Sequence, residues 1–168
     1  MKNLWAPWRM SYIMEKKAPA EACFFDAAPE KNHDRHHLIL YRNAATVVLL
    51  NRYPYANGHL LVAPARHVAT LLELAEAEAA SLIAMVRSAT AILEKHLRPD
   101  GFNIGLNLGE VAGAGIADHL HFHIIPRWSG DHNFMATVAE IRTIPEHIEQ
   151  TFDRLLPDFQ SLAEIPDE

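Results

Sequence analysis

Three histidines alternate with apolar residues in the segment Asp118-His119-Leu120-His121-Phe122-His123-Ile124. In a β-strand, alternate side chains point to the same face, and next-but-one Cα atoms lie roughly 6.6 Å apart. A strand from about His119 to Ile125 would therefore place His119, His121 and His123 together on one face. Imidazole changes its charge near neutral pH, so such a row could supply a nucleophile, a proton donor and a proton acceptor.

The histidine row admits three interpretations. The first is a solvated polar face that uses histidine by chance. The second is a metal site, since a His-x-His pair on a strand can present two nitrogens and catalytic zinc often has three protein ligands. The third is nucleophilic attack of one imidazole on phosphorus, with the neighbouring rings fixing its tautomer and moving protons. The spacing leaves all three open.

Length and composition indicate one soluble globular domain. The chain has 168 residues, of which 49% are hydrophobic and 21% are charged, which is typical of a folded protein and not of a disordered one. The net charge of −6 argues against binding nucleic acid through a basic surface. The single cysteine, Cys23, excludes an intramolecular disulfide bond.

The sequence carries no pattern typical of a membrane span or a cleaved leader. Its longest apolar stretch, around Val47 to Leu50, is far shorter than the roughly 20 residues that a spanning helix needs. We therefore expect a cytoplasmic protein that does not bind membranes.

The hydrophobic pattern predicts an α+β fold, an antiparallel sheet of about five strands packed with one long helix and a C-terminal helix. Strands are expected near 38–41, 46–50, 59–63, 102–108 and 119–125, and helices near 76–97 and 145–156, with fraying after Pro157. Residues 1–32 are expected to form an N-terminal arm that packs through Trp5 and Trp8, 33–130 the main domain, and 131–168 an extension within the same globular unit.

Two further features could bind an anion beside the histidines. The loop from Gly109 to Gly115 could turn backbone N–H groups toward phosphate oxygens, because glycine allows close backbone approach. Arg127 could add a cation at the rim. The loop lacks the Gly-Lys-Ser/Thr sequence of a P-loop.

These features together resemble the histidine triad (HIT) family over about residues 35–130. The residues that carry the resemblance are the triad with Ile124-Ile125-Pro126-Arg127, Asn51, Gly58-His59-Leu60-Leu61-Val62-Ala63-Pro64, Arg66-His67-Val68 and Asn103-Ile104-Gly105-Leu106-Asn107-Leu108-Gly109. Leu4-Trp5-Ala6-Pro7-Trp8-Arg9-Met10 and the stretch 112–128 are similar to the bacterial branch that contains diadenosine tetraphosphate phosphorylases.

The resemblance implies a nucleotidyl transferase or hydrolase that cleaves nucleoside polyphosphates at the α-phosphorus. His121 would be the nucleophile and form a nucleotidyl-histidine intermediate. His119 and His123 would flank the phosphate, and His59 would support the triad from a neighbouring strand. The matched positions for nucleotide binding are Asn51 at the ribose and Asn107, Gly113 and Gly115 at the phosphates.

The triad does not choose the acceptor of the nucleotidyl group. The resemblance favours phosphorolysis of diadenosine tetraphosphate by inorganic phosphate. The alternatives are a hydrolase of dinucleoside polyphosphates or nucleoside phosphoramidates and, in another class, a nucleotide-binding protein without catalysis. Family members form homodimers, so we expect a homodimer here.

The resemblance also concerns a structural metal. Many HIT proteins hold zinc with a Cys-x-x-Cys pair, the histidine of the Arg-His-Val segment and the first triad histidine. The matched residues here are Cys23, Asp26, His67 and His119, with a carboxylate in place of one thiolate. Since zinc sites depend strongly on thiolate ligands, we expect no metal and no cofactor.

Overall fold

The computed structural model describes residues 23–26, 34–131 and 144–162. The expected arm with Trp5 and Trp8 lies outside the described residues. The α-helices are α1 (Asp34–His37), α2 (Glu76–Leu97) and α3 (Ile148–Leu162), and the strands are β1 (Ile39–Arg42), β2 (Thr46–Leu50), β3 (Leu60–Pro64), β4 (Gly101–Leu106) and β5 (Phe122–Arg127). Short 3-10 turns cover Phe24–Asp26, Leu71–Glu73 and Glu110–Ala112.

The five described strands form one antiparallel sheet in the order β1-β2-β3-β5-β4. Leu49 on β2 pairs with Leu61 on β3, Leu61 with His123 on β5, and His123 with Gly105 on β4. Cα partners in register point their side chains to the same face, so these four residues form one row across the sheet. The α+β prediction is confirmed.

The two faces of the sheet carry different layers. The helix face lies under α2 and α3, and its core includes Val48, Leu50, Leu60, Val62, Leu93, Ile124, Phe152, Leu155 and Phe159, all buried. The opposite face, here called the histidine face, carries a second cluster of Phe25, Ile39, Val47, Leu49, Leu61 and Ala63. The alternation of side chains along each strand separates these two layers.

Helix α2 has the predicted bounds, and its ends show why. Its apolar stripe is buried, and the Glu78 carboxylate accepts the N–H of Ala75 at 2.9 Å, which satisfies a donor before the first turn. The hydrogen bond from Arg66 lowers the pKa of Glu78 to about 2. At the other end Arg98 takes a left-handed conformation with φ 46°, which ends the helix.

Three predicted elements differ from the structure by more than one residue at an end. Strand β4 ends at Leu106 and not at Leu108. Strand β5 begins at Phe122 and not at His119, because the Leu120 N–H donates to the Val68 carbonyl at 2.7 Å and leaves the β3 ladder. The C-terminal helix begins at Ile148 and continues through Pro157 to Leu162, so the expected fraying is wrong for residues 158–162, while residues 163–168 lie outside the described part of the chain. Phe159 is fully buried, so its packing holds the last turns in place.

Among the described residues, no helix combines the length and the apolar character that a membrane crossing requires.

Candidate active site

His121 has one ring nitrogen engaged and one available for attack. Its Nδ1 lies 2.8 Å from the carbonyl oxygen of His119, and a carbonyl only accepts, so Nδ1 carries the proton. The lone pair is therefore on Nε2. Burial lowers the pKa of His121 below its ordinary value, because a charged ring is poorly solvated there. His121 is thus a neutral imidazole with a nucleophilic Nε2 at neutral pH.

A second chain of hydrogen bonds sets the tautomers of His59 and His123. The Tyr55 backbone N–H donates to Nδ1 of His59 at 3.1 Å, so this nitrogen is unprotonated and the neutral ring carries its proton on Nε2. That nitrogen lies 2.9 Å from Nδ1 of His123 and donates to it. A neutral His123 therefore holds its proton on Nε2, which makes it a hydrogen-bond donor beside His121, whose ring centroid is 5.0 Å away.

Two aromatic rings pack against this row of imidazoles. The Phe25 ring centroid lies 4.9 Å from that of His119 and 5.0 Å from that of His121. The Tyr55 ring stacks on His59 at 4.9 Å. The sequence analysis did not single out either residue for the site. The available signal was their position, since Phe25 lies in the Cys23–Asp26 segment and Tyr55 in the loop that leads to β3.

Asn51 directly follows β2 and lies beside His59. Its Oδ1 accepts the Tyr53 N–H at 2.9 Å, and its Nδ2 lies 3.3 Å from Nδ1 of His59. The residue therefore shapes the loop and also lies next to His59. The ribose contact of Asn51 stays a prediction.

The glycine loop lies against Asn107. Nδ2 of Asn107 contacts the Gly113 carbonyl at 3.5 Å. Gly113 has φ 91°, a conformation that favours glycine. Ile116, just beyond Gly115, packs against the apolar cluster of the histidine face. The loop thus connects to that face, while phosphate binding by Asn107, Gly113 and Gly115 stays a prediction.

The structure places Arg127 in an ion pair. Its guanidinium donates to both carboxylate oxygens of Asp131 at 2.6 and 2.9 Å, and to Oδ1 of Asn103 at 2.8 Å. The hydrogen bond that Arg127 donates to Asp131 raises the pKa of Arg127. Its positive charge is matched by Asp131, so the rim cation expected from the sequence is not offered to phosphate in this arrangement.

The four residues matched to the metal site converge in space. Cys23, Asp26, His67 and His119 each offer one donor atom, and these atoms lie within 4.8 Å of one another. The Asp26 carboxylate spans the two imidazoles, with Oδ2 2.7 Å from Nδ1 of His67 and Oδ1 3.2 Å from Nδ1 of His119. Sulfur, oxygen and two imidazole nitrogens make a donor set that zinc accepts.

The hydrogen bonding of His119 favours a cation at this point. Its Nε2 lies 2.9 Å from the Pro64 carbonyl oxygen, so Nε2 is protonated and Nδ1 of the neutral ring presents a lone pair. That lone pair faces the Asp26 carboxylate and lies 3.4 Å from Sγ of Cys23. A metal ion would bind both the Nδ1 lone pair of His119 and the Asp26 carboxylate, two electron-rich groups that otherwise repel each other. The residues present therefore fit a zinc ion, although the sequence led us to expect no metal because Asp26 stands in place of a thiolate.

Comparison with known proteins agrees with this geometry. The family model of the HIT domain matches residues 32–130, more than half of the chain. The chain belongs to the HIT family, and this prediction is confirmed.

Individual relatives extend the similarity. The chain is 38% identical over 158 residues to a protein of Mycobacterium tuberculosis named AP-4-A phosphorylase, covering 90% of this chain and 80% of that protein. It is 36% identical over 93 residues to the asymmetrical bis(5'-nucleosyl)-tetraphosphatase of Schizosaccharomyces pombe, covering 55% of this chain and 50% of that protein. A hypothetical histidine triad nucleotide-binding protein of Sulfolobus tokodaii superposes with a TM-score of 0.64 at 26% identity, covering 83% and 93% of the two chains.

Proposed function

We propose that the protein is a nucleotidyl transferase that cleaves dinucleoside polyphosphates, with diadenosine tetraphosphate as substrate and inorganic phosphate as the preferred acceptor. The observation that carries the proposal is the pair of fixed tautomers: a lone pair on Nε2 of His121 and a proton on Nε2 of His123. The relatives named above support the substrate class.

In the first step, Nε2 of His121 attacks the α-phosphorus, and the bond to the bridging oxygen breaks. The electron pair of that bond goes to the bridging oxygen of the leaving ATP, which departs as an anion and accepts a hydrogen bond from Nε2–H of His123. As the new N–P bond forms, positive charge develops on the His121 ring, and its Nδ1–H remains bonded to the carbonyl of His119. That carbonyl stabilises the charge where it develops.

In the second step, the acceptor discharges the intermediate. An anionic oxygen of inorganic phosphate attacks the α-phosphorus, the N–P bond breaks, its electron pair returns to Nε2 of His121, and ADP leaves. Water in the same place would give AMP. His59 keeps Nδ1 of His123 as an acceptor throughout, so Nε2–H of His123 remains available to donate a hydrogen bond to the phosphate oxygens.

One assay tests both the reaction and its acceptor. The protein is incubated with diadenosine tetraphosphate and isotopically labelled inorganic phosphate, and the products are separated. We expect ATP and labelled ADP. Turnover that is independent of phosphate and yields AMP would instead support the hydrolase, and adenosine phosphoramidate as a parallel substrate tests the phosphoramidase. Nucleotide binding without any product would overturn the proposal of an enzyme.

We also propose that Cys23, Asp26, His67 and His119 hold a structural zinc ion. Zinc there would fix the segment that carries Phe25, and it would supply no direct chemistry at phosphorus. Burial raises the pKa of the Cys23 thiol, and a bound cation would oppose that effect by favouring the thiolate.

The exposed edge of the sheet supports the expected homodimer. Strand β4 is one of the two edge strands of the described sheet, and Ile104 on it is 46% exposed. An exposed strand edge is a template for pairing with another chain. We propose that two copies pair through β4, which light scattering at micromolar concentration tests; a monomeric mass would contradict it. We also retain the expectation of a cytoplasmic protein.

A further inference from the structure

A buried polar cluster joins the C-terminal helix to the loop that precedes β3. Thr151 on α3 is 1% exposed. Its Oγ1 lies 2.7 Å from Oε2 of Glu146 and 3.2 Å from the side chain of Asn57. Arg154 donates to the same Glu146 carboxylate. The cluster therefore links residues that lie 94 positions apart in the chain.

The hydrogen-bond capacity of Thr151 makes this link specific. A hydroxyl has one proton to donate and can also accept. The shorter contact, 2.7 Å to the Glu146 carboxylate, takes that proton, while Oδ1 of Asn57 lies 3.2 Å from the same hydroxyl. Each partner has a defined role, so the loss of the hydroxyl would leave the buried carboxamide of Asn57 without this contact.

The cluster ends next to the catalytic pair. Asn57 is followed by Gly58, whose φ is 72° and where an added Cβ would lie 2.4 Å from Cδ1 of Leu97. His59 comes next and is fully buried. A small cavity is lined by Asn51, Asn57, His59, Glu146 and Thr151 together. With Gly58 confined against α2, a shift of Asn57 would move the backbone at His59.

We propose that Thr151 and Glu146 are positioning residues, which hold His59 and through it the tautomer of His123 by way of Asn57. Both lie outside residues 32–130, the part that the HIT model matches. The C-terminal helix is then part of the support of the active site in addition to its packing role. The effect on turnover rests on the proposed function, whereas the effect on the imidazoles does not.

The test replaces the hydroxyl by a methyl group of similar shape. Thr151→Val should lower kcat by about tenfold and change KM by less than about threefold, since a small displacement of a catalytic group is costly. It should also shift the His59 and His123 signals in long-range ¹H–¹⁵N spectra of the imidazole rings, which report the tautomer. Thr151→Ser, which keeps the hydroxyl, should restore both kcat and the spectrum.

A matched control separates positioning from loss of stability. Thr90 on α2 donates to the Val86 carbonyl at 2.7 Å, so Thr90→Val makes the same chemical change away from the site. It should leave kcat and the imidazole signals unchanged. If Thr151→Val changes only the melting temperature, like the control, the proposal is overturned.

A second variant decides the matter if Thr151→Val does not fold. Glu146→Gln keeps an oxygen for the Thr151 hydroxyl but weakens the contact and removes the charge that pairs with Arg154. We expect kcat to fall by about threefold, with shifted His59 signals; wild-type values of both would contradict the proposal. Should the wild-type protein form no nucleotide product, the proposed function fails, while the imidazole spectra still test the positioning role.

Discussion

The two faces of the sheet are built from different kinds of contact. On the helix face, side chains such as Leu93 and Phe152 pack among many apolar neighbours, and each contributes to a shared core. On the histidine face, Nδ1 of His121, Nδ1 of His59 and Nε2 of His119 each face one dominant polar partner. Apolar packing is non-directional, whereas a hydrogen bond fixes where a proton lies. Changes to the first face should therefore alter stability, and changes to the second should alter chemistry.

The largest expected effect is the removal of the nucleophile. His121→Ala should lower kcat by at least about 10⁴-fold, because the covalent route is lost, and should change nucleotide affinity by less than about tenfold. Single-turnover kinetics and equilibrium titration with a nucleotide measure the two quantities. Turnover close to wild type would exclude a covalent intermediate on His121.

The matched change on the helix face should act on stability. Leu82 on α2 is 1% exposed, and Leu82→Ala should lower the free energy of unfolding by about 2–5 kcal/mol through lost burial and a cavity. The kcat of the folded fraction should stay within about twofold of wild type. Urea denaturation and activity at low denaturant give both values. A loss of kcat without a loss of stability would contradict the distinction drawn between the two faces.

The metal content of the purified protein tests whether the four converging donor residues beside the histidine face bind zinc. The sequence led to the expectation of a metal-free protein, whereas the convergence of four donors leads us to expect about one zinc ion per chain. Asp26→Ala should lose zinc to a chelator faster than wild type and have a lower melting temperature. Asp118→Ala, which removes a nearby carboxylate 4.0 Å from Nε2 of His67, is the control. Metal well below one per chain in the purified wild type would restore the original expectation.

The smallest effect is expected at Tyr55, which contributes both a backbone and a side-chain contact. Tyr55→Leu keeps the N–H that sets the His59 tautomer and removes the stacked ring. We expect kcat to fall by only about two- to fivefold, a modest loss typical of one aromatic contact. A pH-rate profile should keep its shape. A much larger loss would mean that the ring, and not the backbone, holds the pair.

Features that depend on neighbouring residues in the chain were predictable. The apolar stripe and the flanking residues of α2 predicted its bounds as observed, because helix periodicity and end signals lie within a few residues. β2 was predicted for the same reason. The alternation of His119, His121 and His123 also predicted a shared face, and their rings do lie together although only His123 is within β5.

Features that depend on distant partners were not predictable in this way. The Val68 carbonyl draws Leu120 out of the ladder, and the packing of Phe159 carries α3 past Pro157. Asn103 lies 24 positions before Arg127, and its Oδ1 accepts a hydrogen bond from the Arg127 guanidinium.

The sequence by itself determined the family, the two-layer pattern and the residue types at the site, because all of these are encoded in local spacing. Tertiary structure decided which nitrogen of each histidine carries the proton. Those protons are set by Tyr55 for His59 and by Pro64 for His119. A tautomer depends on which single donor or acceptor lies within about 3 Å, and only the folded chain brings such partners together.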